Sequence, residues 1–237
     1  MTLRAVIFDF DGVLADSEPI HYEAFQEVLV PLRLGHSYQR YLEHFIGFDD
    51  RDAFREAFRE ANLPLSETAL GDLIRAKSAA FNKIVARGVQ PFPGAVSLVV
   101  DLVRNEVPLA IASGALRQDI LLILNTLHLE SGFAFIVAAD DVKRSKPDPE
   151  SYQLAYERLK DLPGNKGLRR RDCLVIEDTA AGIEAAKRAG LFCVAVAHTS
   201  AADGLSAADY VVSSLEELNY TVLVQMLGRR SAEPRTD

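Results

Sequence analysis

Cysteine is scarce in this chain of 237 residues: it has only Cys173 and Cys193, each inside a strand-like apolar run. An isolated cysteine in such a run behaves as a small hydrophobe, so both are expected to be buried thiols. Positive charge is also short, with 26 Lys and Arg against 34 Asp and Glu and a net charge of −8. That balance disfavours nonspecific binding to nucleic acid or to an anionic membrane. It also means that any site for an anion must gather its own cations. No apolar run approaches the ~20 residues that a helix needs to span a bilayer. The opening MTLRAVIF enters a strand at once, without a signal peptide's apolar core or cleavage site. A cytoplasmic protein is expected. Internal repeats and low-complexity stretches are missing as well. What is present is ordinary for a globular chain, 49% hydrophobic and 25% charged, which argues against disorder. The length supports one large domain, or one with a smaller insert, around an ample core.

Six short apolar runs alternate with amphipathic stretches: Ala5–Phe8, Leu109–Ala112, Phe135–Ala138, Cys173–Ile176, Phe192–Val196 and Tyr210–Val212. Continuous apolar runs of this length suit strands covered on both faces, as in a parallel sheet. Between them, Ala95, Leu98, Val99, Leu102 and Val103 fall at helical spacing, as do Tyr152, Ala155, Tyr156 and Leu159. Asp148-Pro149 offers a helix N-cap with a first-turn proline, and Gly190 the residue just past a helix end. The alternation predicts an α/β fold with a doubly wound parallel-sheet, Rossmann-like core. Residues 17–91 break the pattern and hold no convincing strand. Their apolar stripes are helical: Ala24, Phe25 and Val28; Phe54, Ala57, Phe58 and Ala61; and Leu70 through Val85. N-caps are expected at Asp49-Asp50 and at Ser66. The reading is a core of residues 1–16 and 92–228, an inserted α-helical cap of residues 17–91, and a flexible tail at 229–237.

The chemistry gathers where the apolar runs end. Residues 6–16, VIFDFDGVLAD, place Asp9 and Asp11 two apart at the close of a strand and then turn at Gly12. Carboxylates are depleted in strands and costly to bury unpaired. Two so spaced can share a divalent cation and leave one free to attack phosphorus. Ligands of an open parallel sheet bind at the carboxyl ends of its strands, so polar residues that follow the other runs should converge there. They are Ser113-Gly114, Lys146 and Glu177-Asp178. Mg²⁺ takes one or two carboxylates plus waters and phosphate oxygens, which suits this set. Simpler roles exist beside these: Ser113 as a helix N-cap, Lys146 as a solvated member of Lys143-Arg144-Ser145-Lys146, and Asp178 as the cap of a helix beginning near Thr179.

The blocks DFDGVLADSE (9–18), Ser113-Gly114, Lys146-Pro147 and IEDTAAGIEAAKRAG (176–190) occur in that order. They resemble the haloacid dehalogenase-like superfamily, in the branch with a helical cap after the first strand that holds phosphoglycolate phosphatases and β-phosphoglucomutases. The resemblance covers nearly the whole chain. It implies Asp9 as a nucleophile that forms an aspartyl-phosphate, and Asp11 as general acid and then general base. It implies Ser113, Gly114 and Lys146 around the transferring phosphoryl group. It also implies Mg²⁺ held by Asp9, Asp11 through its backbone carbonyl, Asp178 and Glu177. An aspartate at position 11 favours C–O–P chemistry, because an alkoxide leaving group needs a proton and a halide does not.

Two insert residues fall on apolar stripes. Lys77 lines up with Leu70, Leu73, Ile74 and Phe81, and His21 with Ala24, Phe25 and Val28. Such a lysine can snorkel to water and such a histidine can be hydrogen-bonded in a core. Related mutases and phosphatases carry a histidine and a lysine at matching positions, which implies roles on the substrate side. Arg51 and Arg117 are candidates to contact a distal anionic group. The reading is a phosphatase of a small phosphorylated metabolite, a sugar phosphate or a phosphoglycolate-like compound. The alternative is a β-phosphoglucomutase-like phosphomutase. Against it, GFDDRDAF puts Asp50 where the mutase has its distal-phosphate arginine, with Arg51 one residue later. An idle scaffold would have lost a catalytic residue, and none is missing.

Overall fold

The computed structural model describes residues 2–46, 48–198 and 202–229. Strands β1 Ala5–Phe8, β2 Leu109–Ala112, β3 Phe135–Val137, β4 Cys173–Glu177, β5 Phe192–Val196 and β6 Tyr210–Val212 form one sheet. Its order is β3-β2-β1-β4-β5-β6, and every pairing is parallel. All six expected runs are strands, two with a one-residue difference at the end: β3 stops before Ala138 and β4 runs on to Glu177.

Alternate residues of each strand face opposite layers, as the period of two requires. Val6, Phe8, Ile111 and Ile176 pack with α5 Ala95–Arg104, α6 Arg117–Leu127 and α9 Tyr220–Arg229. Ala5, Ile7, Cys173, Val175 and Cys193 pack with α7 Glu150–Asp161 and α8 Ala180–Arg188. Both cysteines are buried free thiols, as expected. Each large apolar side chain hidden here is worth about 1.5–3 kcal/mol, so the two layers hold the sheet.

The chain between β1 and α5 is helical: α1 Glu18–Leu29, α2 Tyr38–His44, α3 Asp50–Glu60 and α4 Glu67–Val85. It contains no strand among the described residues. Helix α2 escaped the periodicity because it is only two turns long and buries one residue, Tyr41. Asp49 and Ser66 cap α3 and α4, accepting from the amides of Asp52 and Ala69. Asp50 is instead the first residue of α3. The insert has its own apolar cluster around Phe25, Tyr41, Phe54 and Leu70. It is also tied to the main core through Ala24, Phe81, Ile84 and Val85.

Three capping expectations change. Helix α7 starts at Glu150 with Pro149 in the cap place, yet the Asp148 carboxylate still accepts the Glu150 amide at 3.0 Å. Helix α6 starts at Arg117, so Ser113 is not its cap. Thr179, not Asp178, caps α8 and accepts from the Gly182 amide. Gly190 ends α8 with φ +75°, as expected. Residues 230–237 of the expected tail lie outside the described residues, and Arg229 closes α9. No described helix is long and apolar enough to cross a membrane.

Candidate active site

The strand order changes direction between β1 and β4, and their carboxyl ends flank the crevice that such sheets use for ligands. Register does the rest. Phe8 pairs with Ile176 on one side and with Ile111 on the other. Asp9 therefore emerges beside Glu177 and close to the end of β2, where Ser113 follows. The Asp9 amide donates to the Ile176 carbonyl at 2.8 Å, which continues the ladder by one step. Gly12 then makes the turn with φ +79°, a conformation that glycine adopts without strain.

Lys146 joins the two strand ends. Its Nζ donates to Asp9 Oδ1 at 2.6 Å and to Glu177 Oε1 at 2.8 Å, and lies 4.7 Å from the centre of the Tyr152 ring. Burial works against the Lys146 charge, but the Asp9 and Glu177 carboxylates more than offset it and raise the pKa. It is a fixed cation, not a solvated lysine. Glu177 is saturated: Oε1 also accepts from the Tyr152 hydroxyl, and Oε2 from the amides of Asp178 and Thr179 and the Thr179 hydroxyl. Burial opposes the Glu177 charge, yet Lys146 and these donors hold its pKa below the ordinary value. With its acceptor sites filled, Glu177 positions Lys146 and the start of α8. Gly182 makes this possible, because a Cβ there would lie 1.5 Å from Glu177 Oε1.

Asp9, Glu177 and Asp178 offer carboxylate oxygens within 4.8 Å of one another. The Asp11 carboxylate is not in that group. Burial pushes the Asp9 carboxyl up to about 8, helped by Glu177 and Asp11 and opposed by Lys146. A cluster of this kind, hard oxygens with too little positive charge, fits a divalent cation.

Asp11 faces the insert. Its Oδ1 accepts from Ser17 Oγ and lies 3.2 Å from His21 Nε2, and its Oδ2 accepts from Ser113 Oγ at 3.3 Å. Burial would raise its pKa, but His21 and Ser17 hold it below the ordinary carboxylate value. His21 Nδ1 is 2.8 Å from Lys77 Nζ. Lys77 is fully buried, and it also donates to Asp50 Oδ1 at 2.9 Å and approaches Asp119 Oδ2 of α6 at 3.8 Å. Neither snorkelling nor an apolar contact explains it: two carboxylates and an imidazole do.

Asp9, Asp11, His21, Asp50, Gly114 and Lys146 line one cavity between insert and core, with room for a few waters (about 50 Å³). Ser113 sits behind it, bonded to Asp11 and to the Ala115 amide. Arg51 and Arg117 do not reach the cavity. Arg51 Nε donates to Asp49 at 2.9 Å, while Arg117 is held by Asp141 and by the Ile136 carbonyl. Sequence reasoning overlooked Glu18, Tyr152 and Asp119. Tyr152 reads as apolar core by its spacing. Asp119 carried the signal that exposed Lys77, a charge beside the apolar Ile120 and Ile123.

The family model for haloacid dehalogenase-like hydrolases matches residues 6–196, which take in β1 from Val6 onward and all of β2, β3, β4 and β5. The chain belongs to that family. It is a haloacid dehalogenase-like enzyme of the phosphatase type. Fructose-1-phosphate phosphatase YqaB from Escherichia coli is 32% identical over 197 residues, covering 81% of this chain and 95% of that protein. β-Phosphoglucomutase from Clostridium difficile superposes with a TM-score of 0.87 at 23% identity, over 98% of this chain and all of that one. CbbY from Rhodobacter sphaeroides, solved in complex with xylulose-(1,5)bisphosphate, has a TM-score of 0.81 at 26% identity, over 92% and 96% of the two chains.

Proposed function

We propose that this haloacid dehalogenase-like enzyme is a Mg²⁺-dependent phosphatase of a small phosphorylated sugar that works through a phosphoryl group carried on Asp9. The observation that carries the reading is the pairing of two differently held carboxylates in one cavity. Asp9 is fixed by a cation, and Asp11 is aligned by Ser17, His21 and Ser113. Asp9 attacks phosphorus, the ester P–O bond breaks, and the leaving oxygen takes a proton from Asp11. Water then attacks phosphorus of the aspartyl-phosphate and gives its proton to Asp11, the bond from the Asp9 oxygen to phosphorus breaks, and phosphate leaves with the Asp9 carboxylate restored. The depressed Asp11 pKa suits the second half, when a free carboxylate must accept that proton. Lys146 and the Ser113-Gly114 turn neutralise and orient the phosphoryl oxygens.

Asp9 and Asp178 would hold Mg²⁺, with the Asp11 backbone carbonyl and with Glu177 as a ligand or a partner of the ligands, as the family resemblance implies. When bound, Mg²⁺ supplies positive charge that lets two anions approach each other. Residues 17–91 act as a cap. The cavity holds only a few waters, about 50 Å³, which supports entry of substrate with the cap open and expulsion of water on closure. His21 and Lys77 transmit closure to Asp11 as positioning residues. The similarity to a fructose-1-phosphate phosphatase supports a phosphorylated sugar as substrate.

The test is phosphate release from a panel of sugar monophosphates with Mg²⁺ and with EDTA. Release is expected only with the metal, and Asp9→Asn should abolish it while leaving the fold intact. Appreciable turnover in that variant overturns the covalent route. Isomerisation of β-glucose 1-phosphate with little phosphate release would identify a mutase.

A further inference from the structure

The first turn of α3 rests on the two core segments that flank Asp9. Ser145 directly precedes Lys146, and its Oγ lies 2.9 Å from Asp49 Oδ2 and 2.7 Å from Asp52 Oδ2. Arg51 Nη1 donates to the Val142 carbonyl of the same loop at 3.5 Å. At the end of β2, a Cβ on Gly114 would lie 3.9 Å from the Asp49 Cβ, so the Ser113-Gly114 turn abuts the same helix start.

A hydroxyl has one proton to give. Asp49 is buried and already accepts from the Asp52 amide and from Arg51. Asp52 has Arg55 at 3.9 Å and the Ser145 hydroxyl at 2.7 Å, so it takes that proton in a charge-assisted hydrogen bond. The Ser145 loop is itself anchored in the core. The Lys143 and Arg144 amides donate to Glu150 at 3.1 and 3.2 Å, the Asp148 amide to the Ser145 carbonyl at 2.9 Å, and Arg188 to the Pro147 carbonyl at 3.1 Å. It is a fixed seat for the cap. From the turn so seated, Asp50 accepts from Lys77, which contacts the His21 ring beside Asp11. Neighbouring residues of one loop thus reach both carboxylates, Lys146 directly at Asp9 and Ser145 by way of the cap at Asp11.

We propose that Ser145 is a positioning residue whose hydroxyl seats the start of α3 on the Lys146 loop and so sets Asp11 against Asp9 when the cap closes. This rests on the reading of residues 17–91 as a cap over a phosphatase site, and names the contact that fixes where the cap stops. Ser145 stands outside the described lining of the cavity, so its effect falls on alignment more than on substrate affinity.

The experiment is a double-mutant cycle on Mg²⁺-dependent phosphate release from the sugar monophosphate that wild type uses best, with Ser145→Ala, Asp52→Ala and the two combined. Ser145→Ala is expected to lower kcat about tenfold with a smaller change in KM. Asp52→Ala should lower it in the same sense, and the combined variant should lose no more than Ser145→Ala alone. Ser145→Thr, which keeps the hydroxyl, should restore kcat to within about threefold of wild type. Additive losses overturn the seat, as does a threonine variant no better than the alanine one. If Ser145→Ala does not fold in a thermal melt, Asp52→Ala reads the same bond from the cap, and wild-type kcat in that folded variant overturns the proposal. These results leave the phosphatase reading intact. Absence of Asp9-dependent release from the wild type overturns that reading and the seat with it.

Discussion

At the scale of single residues, the burial of Lys77 sets the behaviour of the cap wall. A lysine this deep is stable only because Asp50 and Asp119 share its charge, and they in turn depend on it. Burial already raises the Asp119 pKa, with Lys77 as the main opposing influence. Replacing Lys77 with Met keeps the volume but leaves two buried carboxylates without a cation. The expected cost is about 3–5 kcal/mol near neutral pH. The sign of its pH dependence follows from Asp119, whose pKa burial already raises: as pH falls and the Asp119 carboxyl protonates, the penalty shrinks. Denaturant titrations of wild type and Lys77→Met at pH 7.5 and 5 check this. An equal loss at both pH values would mean that the lysine acts through packing alone. Lys77 stood out in the sequence as a charge on an apolar stripe. Its partners did not, because they come from α3 and α6, far apart in the chain.

At the scale of elements, the junction of β4 and α8 carries the site. Thr179 caps the helix, Glu177 accepts from the first amides of that turn, and Gly182 leaves room for the Glu177 carboxylate. Helix propensity alone would favour Ala over Gly at position 182 by about 1 kcal/mol. The structure reverses that expectation. A methyl group there would displace Glu177 from Lys146 and from its backbone donors. Gly182→Ala should therefore lower stability by about 1–3 kcal/mol and reduce turnover at least about tenfold. Thermal melts and phosphate release measure the two effects. Stabilisation with unchanged activity would show that Glu177 adapts freely.

At the scale of the whole molecule, the enzyme concentrates negative charge at a buried point, and pH should reveal it. Without metal, Asp9 titrates at about 8 in the fold against an ordinary 3.8. Between those values the folded state holds more protons than the unfolded one, so the Asp9 contribution makes stability fall as pH rises. Asp11 and Glu177, held below their ordinary values, act the other way. They stabilise above the ordinary carboxylate pKa and lose that effect only in acid. In EDTA, raising the pH from 5 to 8 should lower Tm, and Asp9→Asn should remove most of that slope. Mg²⁺ should raise the wild-type Tm at pH 8 by at least about 3 °C. A flat profile in EDTA would show that Lys146 alone neutralises Asp9.

Short-range pattern carries much of this architecture. Short continuous apolar runs suit strands covered on both faces, and carboxylates at their ends are costly to bury unpaired. The parallel sheet, the helical insert and the candidates Asp9, Asp11 and Glu177-Asp178 are legible from neighbours along the chain, whereas Lys146 taken by itself reads as a solvated lysine and takes its role from the family resemblance. Pairing across the chain belongs to the tertiary structure. The sequence offered Arg51 and Arg117 as anion contacts, and the fold spent both on aspartates. It offered Glu177 as a possible metal ligand, and the fold places it with Asp9 and Asp178 while also bonding it to Tyr152 and Thr179. A charge in a site is a sum over partners, and only folding decides which carboxylate reaches which cation.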